Sequence, residues 1–279
     1  MNAYAYYNGK FGKREDITIP LSDRSIFFGD AIYDAAIGCY DRILWEEEHI
    51  ERLLNNAKRL GIEHSYDKHY LSALLREIAV KSTIDTYFLY FQLSRSFPIR
   101  RHSAIGCKAS LLVTVEPINI EKNPPPLKLI TVPDKRHGYC DIKTTNLLPA
   151  VLSATDAENA DCDEAIFIKD GVVTECTKSN ISIIKQGRVV THPISSRILP
   201  GIARAHLLTA CHTLDIAFEE AEFTKEDLFT ADEILVTSTT KLCKRVSYID
   251  GRAVGGKDSK TAKSLCDLLY SEFEKCCKI

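Results

Sequence analysis

At 279 residues, with 45% hydrophobic and 27% charged side chains, the chain has the composition of a globular protein of about two domains. A formal net charge of −2, with no basic stripe, leaves no electrostatic footprint for nucleic acid. No window approaches the ~18 apolar residues of a membrane span, and Met1 to Asn8 lack a basic stretch followed by an apolar one, so a soluble, cytoplasmic protein is expected.

Residues Ala3–Tyr7 and Ile17–Leu21 read as short strands around an Asn8-Gly9 turn. Ser22 to Asp30 is a polar loop ending near a glycine, and Ala31 to Tyr40 is a strand that carries Tyr33 close to its start. The spacing of Ile50, Leu53, Leu54, Ala57 and Leu60 predicts a helix from about Glu46 to Leu60. Arg52 falls beside that stripe, where it either reaches an anion or is solvated. A second helix, Lys68 to Lys81, is expected to bury Leu71, Leu74, Leu75 and Ile78. Thr86–Ser94 and Ala109–Val115 are β-rich, with a loop, Phe97 to Ser103, between them. Asn119–Pro126, with three consecutive prolines, reads as a stiff linker. The expected division is therefore residues 1–120, a linker 121–126, and residues 127–279.

The second half opens with a strand, Leu127–Val132, and continues through Lys143 into a helix bearing Leu147, Leu148, Val151 and Leu152. Hairpins are expected at Asp170-Gly171, Gln186-Gly187 and Asp250-Gly251. A helix runs from the Pro200-Gly201 turn to about Leu214, a strand covers Asp232–Ser238, and a terminal helix covers Ser259–Cys277. The class is mixed α and β in two domains. Eight of the ten cysteines are scattered singly, no C-x-x-C occurs, and Cys276-Cys277 has no partner at zinc spacing. They are expected to be reduced, small hydrophobes, with no metal site.

Lys143 stands in Cys140-Asp-Ile-Lys-Thr-Thr-Asn-Leu-Leu148, among apolar, hydroxyl and amide side chains, and the next acid after Asp141 is Asp156. Such a lysine is either an ordinary strand-end residue or one desolvated enough to act as an amine nucleophile. Glu175 closes the apolar run Val172-Val-Thr-Glu175, as a rim acid or as a partner for a protonated ring nitrogen. Leu199-Pro-Gly-Ile-Ala203 is a plain turn or a helix start whose free N–H groups at Ile202 and Ala203 suit a phosphate. Ser238-Thr239-Thr240 either caps a turn or adds hydroxyl donors. Neither a dinucleotide fingerprint, nor a P-loop, nor a G-x-S-x-G elbow is present.

Phe28-Gly-Asp-Ala-Ile-Tyr33, Glu48-His-Ile-Glu-Arg-Leu53, Asp141-Ile-Lys143, Val173-Thr-Glu175, Ser179-Asn-Ile181, Ile198-Leu-Pro-Gly-Ile202 and Val236-Thr-Ser-Thr-Thr240 stand in one order along nearly the whole chain. In combination they resemble the fold-type IV aminotransferases that use pyridoxal 5′-phosphate, and within them the D-amino acid aminotransferases most. The resemblance implies a two-domain fold with a smaller N-terminal part, and a homodimer whose sites are closed by a loop of the partner chain. It implies Lys143 as the Schiff-base lysine and Glu175 as the partner of the pyridine nitrogen. Arg52, Ile202, Ala203, Ser238 and Thr239 look like the phosphate cup, and Leu199 like the residue packed on the ring. Tyr33, Arg100 and His102 look like the holders of a substrate carboxylate.

The same resemblance leaves an aminodeoxychorismate lyase, or a branched-chain or amine transaminase, as alternatives on one fold, and a PLP-binding protein without turnover as an alternative of another class. Three positions depart from the family's pattern. Ala203 lacks a hydroxyl that relatives offer to the phosphate, Lys178 stands where they have a small residue, and Arg101 adds a charge between Arg100 and His102.

Overall fold

In the computed structural model, which describes residues 3–278, the Asn8-Gly9 turn joins β1 (Tyr4–Tyr7) to β2 (Lys10–Lys13). Met1, Asn2 and Ile279 lie outside the described residues. Both turn residues have positive φ, 44° and 95°, the twist that a two-residue hairpin needs. The expected strand at Ile17–Leu21 does not form: Pro20 lacks the N–H a ladder uses, and Lys10–Lys13 has already taken the pairing edge of β1.

After a short helix, α1 (Ser25–Phe28), the chain forms β3 (Ala31–Cys39), β4 (Arg42–Ile43), α2 (Glu46–Leu60), α3 (Lys68–Ser82), β5 (Thr86–Ser96) and β6 (Lys108–Pro117). The strands make one antiparallel sheet in the order β2-β1-β6-β5-β3-β4. Helix α2 has three glutamates in its first turn and ends on Gly61 at φ 62°, so both termini suit the helix dipole and backbone. Ile50, Leu53 and Ala57 from α2 and Leu71, Leu75 and Ile78 from α3 pack with Ile32, Ala36, Leu89 and Phe91 of the sheet. Leu74 is only partly buried.

The second sheet contains β7 (Leu127–Pro133), β8 (Glu164–Lys169), β9 (Val172–Cys176), β10 (Asn180–Lys185), β11 (Arg188–Thr191), β12 (Phe218–Glu220), β13 (Glu233–Ser238), β14 (Leu242–Ile249) and β15 (Arg252–Ala253). Its order is β12-β11-β10-β13-β14-β7-β8-β9, with β15 on β14. Helix α4 (Leu148–Asn159) links the parallel pair β7 and β8, the crossover such a pair requires. The other helices are α5 (Ile202–Thr213), α6 (Lys225–Thr230) and α7 (Ser259–Cys277). Ile166, Val173, Ile181, Ile183, Ile234 and Val236 form the centre of this core. Leu148, Val151 and Leu152 on α4 remain exposed, and the helix buries Ala150 and Ala157 instead.

Two units emerge. The first holds residues 3–119, Ile142–Asn146 and 273–278, and the second Ile120–Asp141 and Leu147–Glu272. A single cut at 121–126 would leave the lysine segment and the last turn of α7 on the other side. One cysteine expectation is corrected: Cys39 and Cys277 form a disulfide across 238 positions, with Cα atoms 5.2 Å apart. The terminal helix brings Cys277 back to the end of β3, a proximity that spacing in sequence does not reveal. Among the described residues no helix is long and apolar enough to cross a membrane.

Candidate active site

In the first unit, Ile142–Asn146 lies along the start of β3 like a short extra strand. Tyr33 N donates to Lys143 O at 2.9 Å, Thr145 N to Ala31 O at 3.1 Å, and Ile32 bridges to Thr144. Thr145 Oγ1 and Asn146 Nδ2 both donate to Gly29 O at 3.0 Å. Ile142 is buried in the core on one side of this segment, so its neighbour Lys143 turns the other way and is only partly buried. The lysine Nζ stands 4.4 Å from the centroid of the Tyr33 ring, which in turn stacks on Tyr90 at 5.1 Å. The aromatic face gives the cation a fixed seat.

The next residue of β3, Asp34, meets helix α2. Arg52 Nε donates to Asp34 Oδ2 and Arg52 Nη2 to Asp34 Oδ1, both at 2.8 Å, and His49 Nδ1 lies 2.7 Å from Asp34 Oδ1. Asp34 is fully buried. Burial alone would raise its carboxyl, but Arg52 and His49 outweigh that and hold it well below the usual carboxylate range. The pair on α2 is three residues apart, one helical turn, so both side chains reach the same acid.

Arg100 and His102 gather elsewhere in this unit, around Phe28. The Arg100 guanidinium is 4.8 Å from the Phe28 ring centroid and 5.8 Å from that of Phe27, and the His102 ring is 5.2 Å from Phe28. Arg24 holds the loop from its other side: it pairs with Asp30 at 2.7 Å and donates to the carbonyls of Arg101 and, at 2.9 Å, His102. Arg100 and His102 are exposed. Arg101 is turned into its own loop, stacked 3.6 Å over Phe97 and donating to Ile105 O.

In the second unit, Glu175 is buried at the end of β9. Its Oε2 accepts from Asn180 Nδ2 and from Leu199 N, each at 3.1 Å, and its Oε1 accepts from Arg136. Arg136 also binds Asp134 and the carbonyl of Arg197, and lies 4.3 Å over Phe167. Burial would lower the affinity of Arg136 for its proton, but Asp134 and Glu175 overcome that and raise it. Asp134, likewise opposed by burial, is held below its ordinary value by Arg136.

The loop carrying Leu199 leads into α5, where Ile202 and Ala203 form the first turn and are both buried. Gly201, just before it, faces Asn180 so closely that a Cβ would overlap the amide oxygen. Asn180 Nδ2 also donates to Leu199 O at 2.9 Å, which ties the loop to the Glu175 carboxylate. Ser238 ends β13 with Thr239 following, and Ser238 Oγ accepts from Lys241 N at 3.2 Å. Lys178 is exposed, and its backbone N–H donates to Glu164.

Thus Tyr33, Arg52, Lys143, Arg100 and His102 belong to the first unit, and Glu175, Leu199, Ile202, Ala203, Ser238 and Thr239 to the second. Sequence reading missed Asp34, His49 and Arg136. Arg136 follows the strand Leu127–Pro133 closely, and no local pattern ties it to Glu175.

The sequence profile of amino-transferase class IV matches residues 40–249. A D-alanine aminotransferase of Bacillus licheniformis is 36% identical over 254 residues, 89% of each chain. A branched-chain aminotransferase of the archaeon Thermoproteus uzoniensis, solved with norvaline, superposes with a TM-score of 0.88 at 23% identity, over 98% of this chain and 96% of that one. A Legionella pneumophila structure described as a candidate 4-amino-4-deoxychorismate lyase gives 0.85 at 24% identity, over 92% and 96%. These last two show a shared fold.

Proposed function

The chain belongs to the class IV aminotransferases, enzymes that use pyridoxal 5′-phosphate, and on that premise we propose that it moves amino groups between D-amino acids and 2-oxo acids. The observation that carries the D-amino acid reading is the loop in which Arg100 and His102 share the Phe28 surface, two exposed cationic side chains two residues apart. A planar guanidinium suits a carboxylate through two parallel hydrogen bonds, and the imidazole can add a third. The likeness to a D-alanine aminotransferase at 36% identity supports the same choice.

Under this reading Lys143, Glu175, Leu199 and a phosphate cup of Arg52, Ile202, Ala203, Ser238 and Thr239 would hold the cofactor. The donor chemistry fits: a buried carboxylate with a fixed orientation, an arginine for the phosphate, and free N–H groups at the start of α5. Pyridoxal phosphate supplies an electron sink for the carbon that loses its proton.

The Lys143 amine would take and give back that proton, so one group would serve as general base and general acid. The Tyr33 ring holds the amine in reach. Glu175 would present its charge to the ring nitrogen, with Asn180 and Leu199 fixing one carboxylate oxygen and Arg136 the other. Tyr33 would complete the carboxylate holder with Arg100 and His102. Ala203 offers the phosphate a backbone N–H and no hydroxyl, so the cup has one donor fewer than its relatives.

A second copy of the chain would cover the apolar surface left bare. Ile99 and Ile105 beside the loop are 71% and 81% exposed, and Leu148 and Leu152 on α4 are 68% and 58% exposed. Exposed apolar clusters of this kind mark interaction surfaces, and a homodimer in the cytoplasm is the assembly proposed. The test is turnover of D-alanine and L-alanine with 2-oxoglutarate as acceptor. Pyruvate from the D form supports the proposal; a preference for L-alanine, or pyruvate released from aminodeoxychorismate instead, overturns it.

A further inference from the structure

His49 is a buried imidazole with half of its hydrogen-bonding capacity in use. Its Nδ1 faces Asp34 Oδ1 at 2.7 Å, and a carboxylate flanked by an arginine is an acceptor, so Nδ1 carries a hydrogen. On the far side of the ring Nε2 is buried and, among the described residues, has no hydrogen-bond partner. The residue is 1% exposed. An unsatisfied buried polar atom costs free energy, and one beside a candidate phosphate-binding arginine asks what would satisfy it.

The charged groups acting on the ring are Asp34 from β3, Arg52 one turn along α2, and Lys143 from the segment paired with β3. Burial pulls the proton affinity of His49 below its ordinary value, Asp34 opposes this, and Arg52 and Lys143 act with burial. The ring is therefore neutral, with a bare lone pair at Nε2. What it lacks is a hydrogen, and two cations near it make a proton costly until an anion arrives. A phosphate monoester brings two negative charges near neutral pH and several acceptor oxygens, which reverses that balance.

We propose that His49 is a phosphate-binding residue beside Arg52: when the cofactor's phosphate binds, the ring takes a proton from solvent at Nε2 and donates it to a phosphate oxygen. The inference rests on the reading in which Arg52 faces the phosphate. No bond between heavy atoms forms or breaks, and one proton moves from water to the imidazole. Asp34 is then the counter-ion of two cations, Arg52 and the imidazolium, which accounts for a fully buried aspartate contacted on both oxygens.

The experiment is nitrogen NMR of the full-length protein labelled in its histidine rings, at pH 8, with and without pyridoxal 5′-phosphate, and with sulfate as a dianion that carries no proton of its own. His49→Asn identifies the signal, because its amide can keep the hydrogen bond to Asp34 while Nε2 is removed; His49→Gln serves if that variant does not fold. A ring that is neutral without anion and protonated on both nitrogens with the cofactor, and with sulfate at saturation, is the expected result. His49→Asn should also weaken binding of pyridoxal phosphate by roughly tenfold, the scale of one charge-assisted hydrogen bond, and leave binding of pyridoxal, which lacks the phosphate, unchanged.

Cofactor bound over a ring that stays neutral overturns the inference alone. No cofactor absorption at all, or binding indifferent to Arg52→Ala, overturns the parent reading and the inference with it.

Discussion

Tyr33 holds Lys143 at both ends: its backbone N–H donates to the lysine carbonyl at 2.9 Å, and its ring carries the ammonium 4.4 Å from the centroid. A single residue of β3 thus sets the position of the lysine backbone and of the amine. Borohydride added with pyridoxal phosphate should fix the label on the peptide containing Lys143, and Lys143→Ala should lose turnover while still binding the cofactor. Label on the exposed Lys178 would refute the assignment. Tyr33→Phe, which keeps the ring, should retain labelling of Lys143 at the wild-type rate, whereas Tyr33→Ala should slow it.

Glu175→Gln keeps shape and two of the contacts but removes the charge opposite Arg136. The kcat should fall more than KM rises, because the charge matters most when the ring nitrogen must stay protonated. A kcat within about threefold of wild type would leave under half of a ~1.4 kcal/mol step to that charge, and the assignment would fail.

Arg136→Met removes the cation from between two carboxylates, the half-buried Asp134 and the buried Glu175. Breaking a buried pair from one side costs about 3–5 kcal/mol, so the denaturation midpoint should drop clearly, and by more than for Glu175→Gln. An unchanged midpoint would show that the network carries no stability.

Arg100→Ala should raise KM for D-alanine strongly and leave a simple amine such as (R)-1-phenylethylamine nearly unaffected, since only the first has a carboxylate to hold. Arg101 is committed to Phe97 and to the carbonyl of Ile105, so Arg101→Ala should change both substrates in the same proportion. The ratio of the two kcat/KM values is the measurement, and equal ratios in the two variants would remove Arg100 from carboxylate recognition.

Gly201→Ala places a methyl where the Asn180 amide oxygen already stands. Asn180 must then move away from Glu175 and Leu199, so about 1–3 kcal/mol of stability should be lost, with activity falling in parallel. Urea denaturation measures the first; wild-type stability would show that the amide turns aside at no cost.

Local periodicity made much of the fold legible. The stripe from Ile50 to Leu60 delimits α2 at Glu46–Leu60, and α7 covers Ser259–Cys277 as its pattern predicts. Asn8-Gly9, Asp170-Gly171, Gln186-Gly187 and Asp250-Gly251 all turn hairpins with positive φ at both residues. Segments too short for a period escaped: α1 has four residues, β12 three, and α6 is recognisable by a Thr224–Asp227 capping box alone. Long-range partners escaped for another reason. Nothing near Asp34 announces that His49 and Arg52 will meet it, and nothing near Glu175 announces Arg136, 39 positions away. Resemblance named the lysine and the acid, while the groups that hold them became visible only in three dimensions.

The first unit is completed by residues from far along the chain. Tyr33 N–H and Ala31 C=O wait for Lys143 and Thr145, Cys39 waits for Cys277, and Arg42 donates to the carbonyl of Lys278. A polypeptide leaving the ribosome amino-end first carries the positions at Ala31 and Tyr33 through Ile120–Asp141, and those at Cys39 and Arg42 through nearly all of the second unit. Removing residues 273–278 would therefore be felt at the end of β3, in the part of the molecule that was translated first.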